Sequence, residues 1–69
     1  MLDRNLLETR ARCAIAELFG DLPAEAADQI VAFVMLDALL EYIGQPPLAR
    51  TPALDAIVAW VEVRMRRTD

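Results

Sequence analysis

Cys13 is the only strong nucleophile in this 69-residue chain, which contains no histidine, lysine or serine. Those absences close off whole classes of chemistry. Serine–histidine and cysteine–histidine pairs cannot form. A Schiff-base lysine, a phosphate loop ending in Gly-Lys-Ser/Thr and a histidine metal site are equally out of reach. A single cysteine rules out a disulfide within the chain, and without histidine a closed zinc site lacks a ligand set. Cys13 stands among Ala11, Ala14 and Ala16 on the flank of an apolar stripe, so its expected role is that of a small, buried or half-buried hydrophobe. No cofactor, no metal and no catalytic residue is expected.

The acids and arginines offer binding rather than catalysis. Asp37 and Glu41 are like charges at i, i+4, which mildly destabilise a helix, and apolar residues surround them. The plainest reading makes them the one solvated edge of their helix. The functional reading makes them an acidic strip that pairs with arginines of another helix or of a partner. As a metal site the pair lacks further ligands. Asp21, Glu25 and Asp28 fall near a helix start, and Arg64, Arg66 and Arg67 near a helix end, where each sign complements the helix dipole. Glu62 and Arg66 have the favourable i, i+4 orientation. The formal net charge is −4, and the basic footprint required for nucleic-acid binding is missing.

Three helices must position these groups. Gly20 and Gly44 each follow an apolar-periodic segment, the place favoured after a helix C-terminus. Thr51-Pro52 reads as an N-cap followed by proline at the first helical position. Pro23 falls in a first turn opened by Asp21 or Leu22. The helices are therefore expected at about 3–19, 23–43 and 52–67, a helical hairpin plus a third helix, in a single all-α domain spanning residues 1–69. In the first, Leu7, Ala11, Ala14 and Leu18 form one stripe, widened by Ile15 and Phe19. In the third, Leu54, Ile57, Val58, Val61 and Met65 form the core stripe. The run from Val61 to Arg66 alternates like a strand, but the capped, Ala-rich start favours helix. The segment Gly44-Gln45-Pro46-Pro47-Leu48-Ala49-Arg50 is an extended, semi-rigid spacer. It would either hold helix three at an angle or deliver it to a neighbouring protomer.

Apolar residues make up 57% of the chain, against about 45–50% in ordinary domains. A chain this short has much surface for its volume and needs help to be stable, commonly by oligomerisation. The excess concentrates in helix two, where Ile30, Val31, Phe33, Val34, Met35, Leu36, Leu39, Leu40, Tyr42 and Ile43 leave only a narrow strip for Asp37 and Glu41. A helix apolar nearly all round is a buried helix, so an intermolecular helical bundle is expected, with a second copy, a protein partner or both. Trp60 either anchors that interface or covers the edge of the internal core. The expected contact residues are Phe33, Leu36, Asp37, Leu40, Glu41, Trp60 and Val63. The implied function is a non-catalytic regulatory, inhibitory or adaptor protein that occludes a partner surface.

No signal peptide is read at the start of the chain. The longest apolar run, Ile30 to Leu36, is far short of the ~20 residues of a membrane span. A cytoplasmic protein of a bacterium or phage is the simplest expectation. Over Leu2 to Arg12 the chain resembles the first helix of the all-helical chorismate mutases, intertwined dimers that clamp a dicarboxylate with arginine and lysine. The active-site lysine of that family has no counterpart here. The resemblance implies what an enzyme would look like, with Arg4, Arg10 or Arg12 gripping an anion between protomers.

Overall fold

The computed structural model describes residues 3–67 and contains α1 (Arg4–Phe19), α2 (Ala24–Tyr42) and α3 (Pro52–Arg66). The outermost residues of the expected domain, 1–2 and 68–69, lie outside the described residues. No helix among the described residues is long and apolar enough to cross a membrane.

Local chemistry sets most boundaries. The Asp3 carboxylate accepts a hydrogen bond from the Leu6 amide at 3.0 Å and caps α1. The Thr51 hydroxyl accepts one from the Leu54 amide at 3.3 Å and caps α3, with Pro52 at the first helical position. At the end of α2 the Gln45 amide donates to the Leu40 carbonyl and the Gly44 amide to the Glu41 carbonyl. That paired closure needs a left-handed residue, and Gly44 supplies it at φ 76°. The start of α2 differs from the sequence expectation. Pro23 is the N-cap rather than part of the first turn, and no side chain caps the helix. Its carbonyl accepts from the Ala27 amide instead. The strand-like run from Val61 to Arg66 is helical.

The core consists of Ala11, Ala14, Ile15, Ile30, Val31, Val34, Val58 and Val61. These are small or medium side chains, so the helices approach closely, but they give a core of modest volume. Phe19, Leu22, Ala27, Phe33, Met35, Leu54, Ile57 and Met65 pack round it only partly buried. Leu18, which the stripe of α1 places inward, remains substantially exposed. The spacer returns α3 to its own chain, where it packs on both α1 and α2. Two surface ion pairs join different helices, Arg12 with Asp28 at 3.0 Å and Arg64 with Glu17, and Arg12 also bonds Glu8 of its own helix at 3.3 Å.

Candidate partner-docking surface

A helix in a three-helix bundle can bury about half its circumference, and α2 is apolar on both halves. Its inner side carries Ile30, Val31 and Val34. At roughly 100° per residue, Ala32, Leu36, Leu39 and Ile43 fall together on the outer side, spaced four, three and four apart. Ala32, Leu39 and Ile43 are exposed, Leu39 by 45%, while Leu36 is half-buried. Beside this stripe runs an apolar groove of about 490 Å³ between α1 and α2. Leu7, Val31, Ala32, Met35, Leu36 and Leu39 line it, with Arg4 and Asp28.

The two charges stand at opposite ends of the groove. The Arg12–Asp28 pair fixes the antiparallel register of α1 and α2. Counting back from Arg12 to Arg4 travels about 12 Å along α1, and counting forward from Asp28 to Leu36 the same distance along α2. Arg4 is therefore level with Leu36, and Asp28 sits about two turns away.

Asp37 and Glu41 are not the rim of this surface, because Asp37 lies roughly 160° round the helix from Leu39. Nor is Asp37 solvated. Its carboxylate accepts two parallel hydrogen bonds from Arg50, Nη1 to Oδ1 at 2.8 Å and Nη2 to Oδ2 at 2.9 Å. The side chains are 7% and 14% exposed, respectively for Arg50 and Asp37. The Arg50 Nε donates to Asp55 at 3.0 Å, and its guanidinium lies 5.8 Å from the centre of the Phe33 ring. By sequence, Arg50 reads as the last residue of a spacer. The available signal was a like-charge pair on an apolar helix, which requires a cation, and one arginine in the spacer to supply it.

Glu62 is the third member of this cluster. It is turned to Asp37 rather than closed into an ion pair with Arg66, as the i, i+4 spacing suggested. Burial, then a hydrogen bond shared with Asp37, then repulsion from the Asp37 charge push its carboxyl up to about 7. The Arg50 hydrogen bonds hold Asp37 below the usual carboxylate range. Below about pH 7, therefore, Glu62 is the carboxyl that takes a proton while Asp37 stays ionised against Arg50. Glu41 is exposed and lines a shallow recess of about 280 Å³ with Gln45, Glu62 and Arg66.

The remaining expected contact residues divide as well. Phe33 and Leu40 are half-buried, Phe33 beneath Arg50. Trp60 is 58% exposed, so it does not cover the core edge, and Val63 is exposed beside it one turn on. Both sit on the side of α3 away from Val58 and Val61. Because the outer sides of α2 and α3 each face away from the shared core, they form two surfaces instead of one. Leu36 alone of the expected contact residues lines the groove; Leu39 and Met35 read only as part of the apolar girth of α2, Leu7 as core stripe of α1, and Arg4 as one candidate for an anion site between protomers. The four–three–four spacing from Ala32 to Ile43 would have found the first of these. The contribution of α1 depends on packing.

Compared with family models, with curated proteins and with solved structures, the chain finds no match.

Cys13 is exposed, against the expectation of a buried or half-buried hydrophobe. Two residues from the fully buried Ala11 amount to roughly 200° of rotation, which turns the thiol outward. It lines a recess of about 320 Å³ with Thr9, Arg10, Glu17, Arg64 and Arg67. Arginines of two helices converge there, although Arg64 is engaged by Glu17 and donates to the Arg67 carbonyl at 3.0 Å.

Proposed function

We propose that this chain is a non-catalytic protein–protein interaction module, of regulatory, inhibitory or adaptor type, that acts by laying the outer side of α2 over a partner surface. The observation that carries the reading is the apolar stripe of exposed Ala32, Leu39 and Ile43 with half-buried Leu36, flanking an apolar groove. Large apolar side chains held in water on one continuous face mark interaction sites. Supporting it, the core is small and none of the leucines of α2 is buried, so covering this face would add stability that the monomer lacks. A cytoplasmic protein of a bacterium or phage fits the composition.

The test is affinity capture with the wild-type chain and with Leu36→Asp as baits, after circular dichroism shows equal helicity. The reading requires a partner, or the chain itself, to be retained by the first and lost by the second. Capture unchanged by the substitution moves the contact elsewhere.

A second reading draws on the recess where Arg10, Arg64 and Arg67 meet beside Cys13: an arginine-lined anion site of a small helical enzyme or enzyme subunit, completed between protomers. Calorimetric titration with a dicarboxylate addresses it. Binding that Arg67→Ala removes would favour this reading over the first.

A further inference from the structure

We propose that the groove between α1 and α2 is filled by a second copy of this chain, docked antiparallel about a two-fold axis crossing α2 between Ala32 and Leu36. This rests on the reading of the outer side of α2 as a docking surface and names its occupant.

The charge pattern singles out a self-complementary partner. The groove is apolar along its length and carries one cation at one end and one anion at the other, Arg4 level with Leu36 and Asp28 two turns away. A two-fold operation that reverses α2 brings the Arg4 end of each copy to the Asp28 end of the other, with Asp28 about one helical turn (~6 Å) past the level of Arg4, a distance that the long arginine side chain spans. Every contact is then made twice, as an isologous interface requires. Arg4 forms no ion pair with another described residue. Asp28 holds Arg12 through Oδ1 and is itself largely exposed, so its carboxylate has capacity for a second guanidinium. A partner of one sign of charge would satisfy one end of the groove and be repelled at the other.

The apolar part is self-complementary in shape. With the axis between them, the exposed Ala32 of one copy faces Leu36 of the other, and reciprocally, small against large. Ala32 lets the helices approach to the ~8–10 Å of ordinary helix packing. The outer stripe from Ala32 to Ile43 runs about 17 Å, and α1 adds Leu7 and the stem of Arg4. The two α1–α2 hairpins would then make an antiparallel four-helix arrangement, with α3 on the far side of each. A standard interface takes about 800 Å² from each partner, which is less than a fifth of the 5039 Å² surface of this chain.

Sedimentation equilibrium on the full chain, from micromolar to several hundred micromolar, tests this. The expected species has twice the 7.7 kDa chain mass. Leu36→Asp should sediment as a monomer with wild-type helicity. Arg4→Glu places like charges at both ends of the interface and should weaken association about tenfold or more. Adding Asp28→Arg to that chain reverses both pairs and should restore most of it. Arg4→Glu alters an exposed position, so it decides the matter even if Leu36→Asp fails to fold; because Asp28→Arg also removes the Arg12 ion pair, the double variant is compared with Asp28→Arg alone at equal helicity, and recovery is read relative to that chain.

A wild-type chain that stays monomeric throughout overturns the second copy. A dimer indifferent to Arg4→Glu, or not recovered by the double variant, overturns the antiparallel register. The wider docking reading fails separately. It falls if both self-association and capture survive Leu36→Asp, and it stands without the dimer if a monomeric chain captures another protein in a Leu36-dependent way.

Discussion

Arg50 and Asp37 are joined by two parallel hydrogen bonds of 2.8 and 2.9 Å, and this fork fastens the proline-containing spacer to the C-terminal part of α2. Both side chains are nearly buried, and Asp55 and the Phe33 ring take up the rest of the guanidinium. Arg50 is next to the N-cap of α3, so the fork also aims that helix.

Removing one partner of a buried pair strands the other charge, which is more damaging than losing the pair. Arg50→Ala is expected to destabilise the chain by about 2–3 kcal/mol, read as a lowered urea midpoint. Arg50→Lys keeps the charge without the fork and should fall between. Asp37→Leu combined with Arg50→Met should recover much of the loss, because the only carboxylate that loses a charged partner, Asp55, is exposed.

Glu62 gives stability an unusual pH dependence near neutrality. Its folded carboxyl is raised from 4.5 to about 7, so between those values the folded chain binds more protons than the unfolded one. Stability must then decrease as pH rises through that window. Asp37 has the opposite sign, being lowered in the fold, and its contribution is kept at neutral pH and lost in acid. Urea midpoints from pH 5 to 8 should therefore fall, with a loss of unfolding free energy of order 1 kcal/mol given that Glu62 is only half-buried. Glu62→Gln should flatten that slope and be the more stable chain at pH 8. A wild-type midpoint that rises over the same range would contradict the raised Glu62 carboxyl.

Cys13 should react with a thiol reagent in the native protein at a rate close to that of the unfolded chain, since it is exposed. Cys13→Ala should change stability by less than about 0.5 kcal/mol, as for other surface positions. Protection of the thiol at low concentration would mean that the outer side of α1 is covered.

Trp60 and Val61 are adjacent in sequence and opposite in environment, 58% and 0% exposed. Fluorescence of Trp60 should be quenched readily by acrylamide, and Trp60→Ala should cost less than about 1 kcal/mol. Val61→Ala, by opening a cavity between helices, should cost about 2 kcal/mol or more. Quenching that weakens as the chain is concentrated would place Trp60 in the contact between copies, and the groove of α2 outside it.

Much of this protein is determined locally and is legible in the sequence. The helix ends at Gly20, Gly44 and Thr51-Pro52 follow from those residues, because capping and left-handed turns depend only on neighbouring residues; Asp3, expected as the first helical residue, caps α1 instead. The surplus apolar character of α2 is likewise a matter of counting residues round a helix. Tertiary structure alone decided which half of that surplus is core and which faces water, since this depends on where α1 and α3 lie. It also paired Asp37 with Arg50, set Glu62 against the same carboxylate, separated Trp60 from the stripe of α2 and placed Arg4 and Asp28 at the two ends of one groove. Each of these joins residues on different elements. Their meeting is fixed by the packing of three helices round a small core of alanine, valine and isoleucine, and by a spacer that folds back on its own chain.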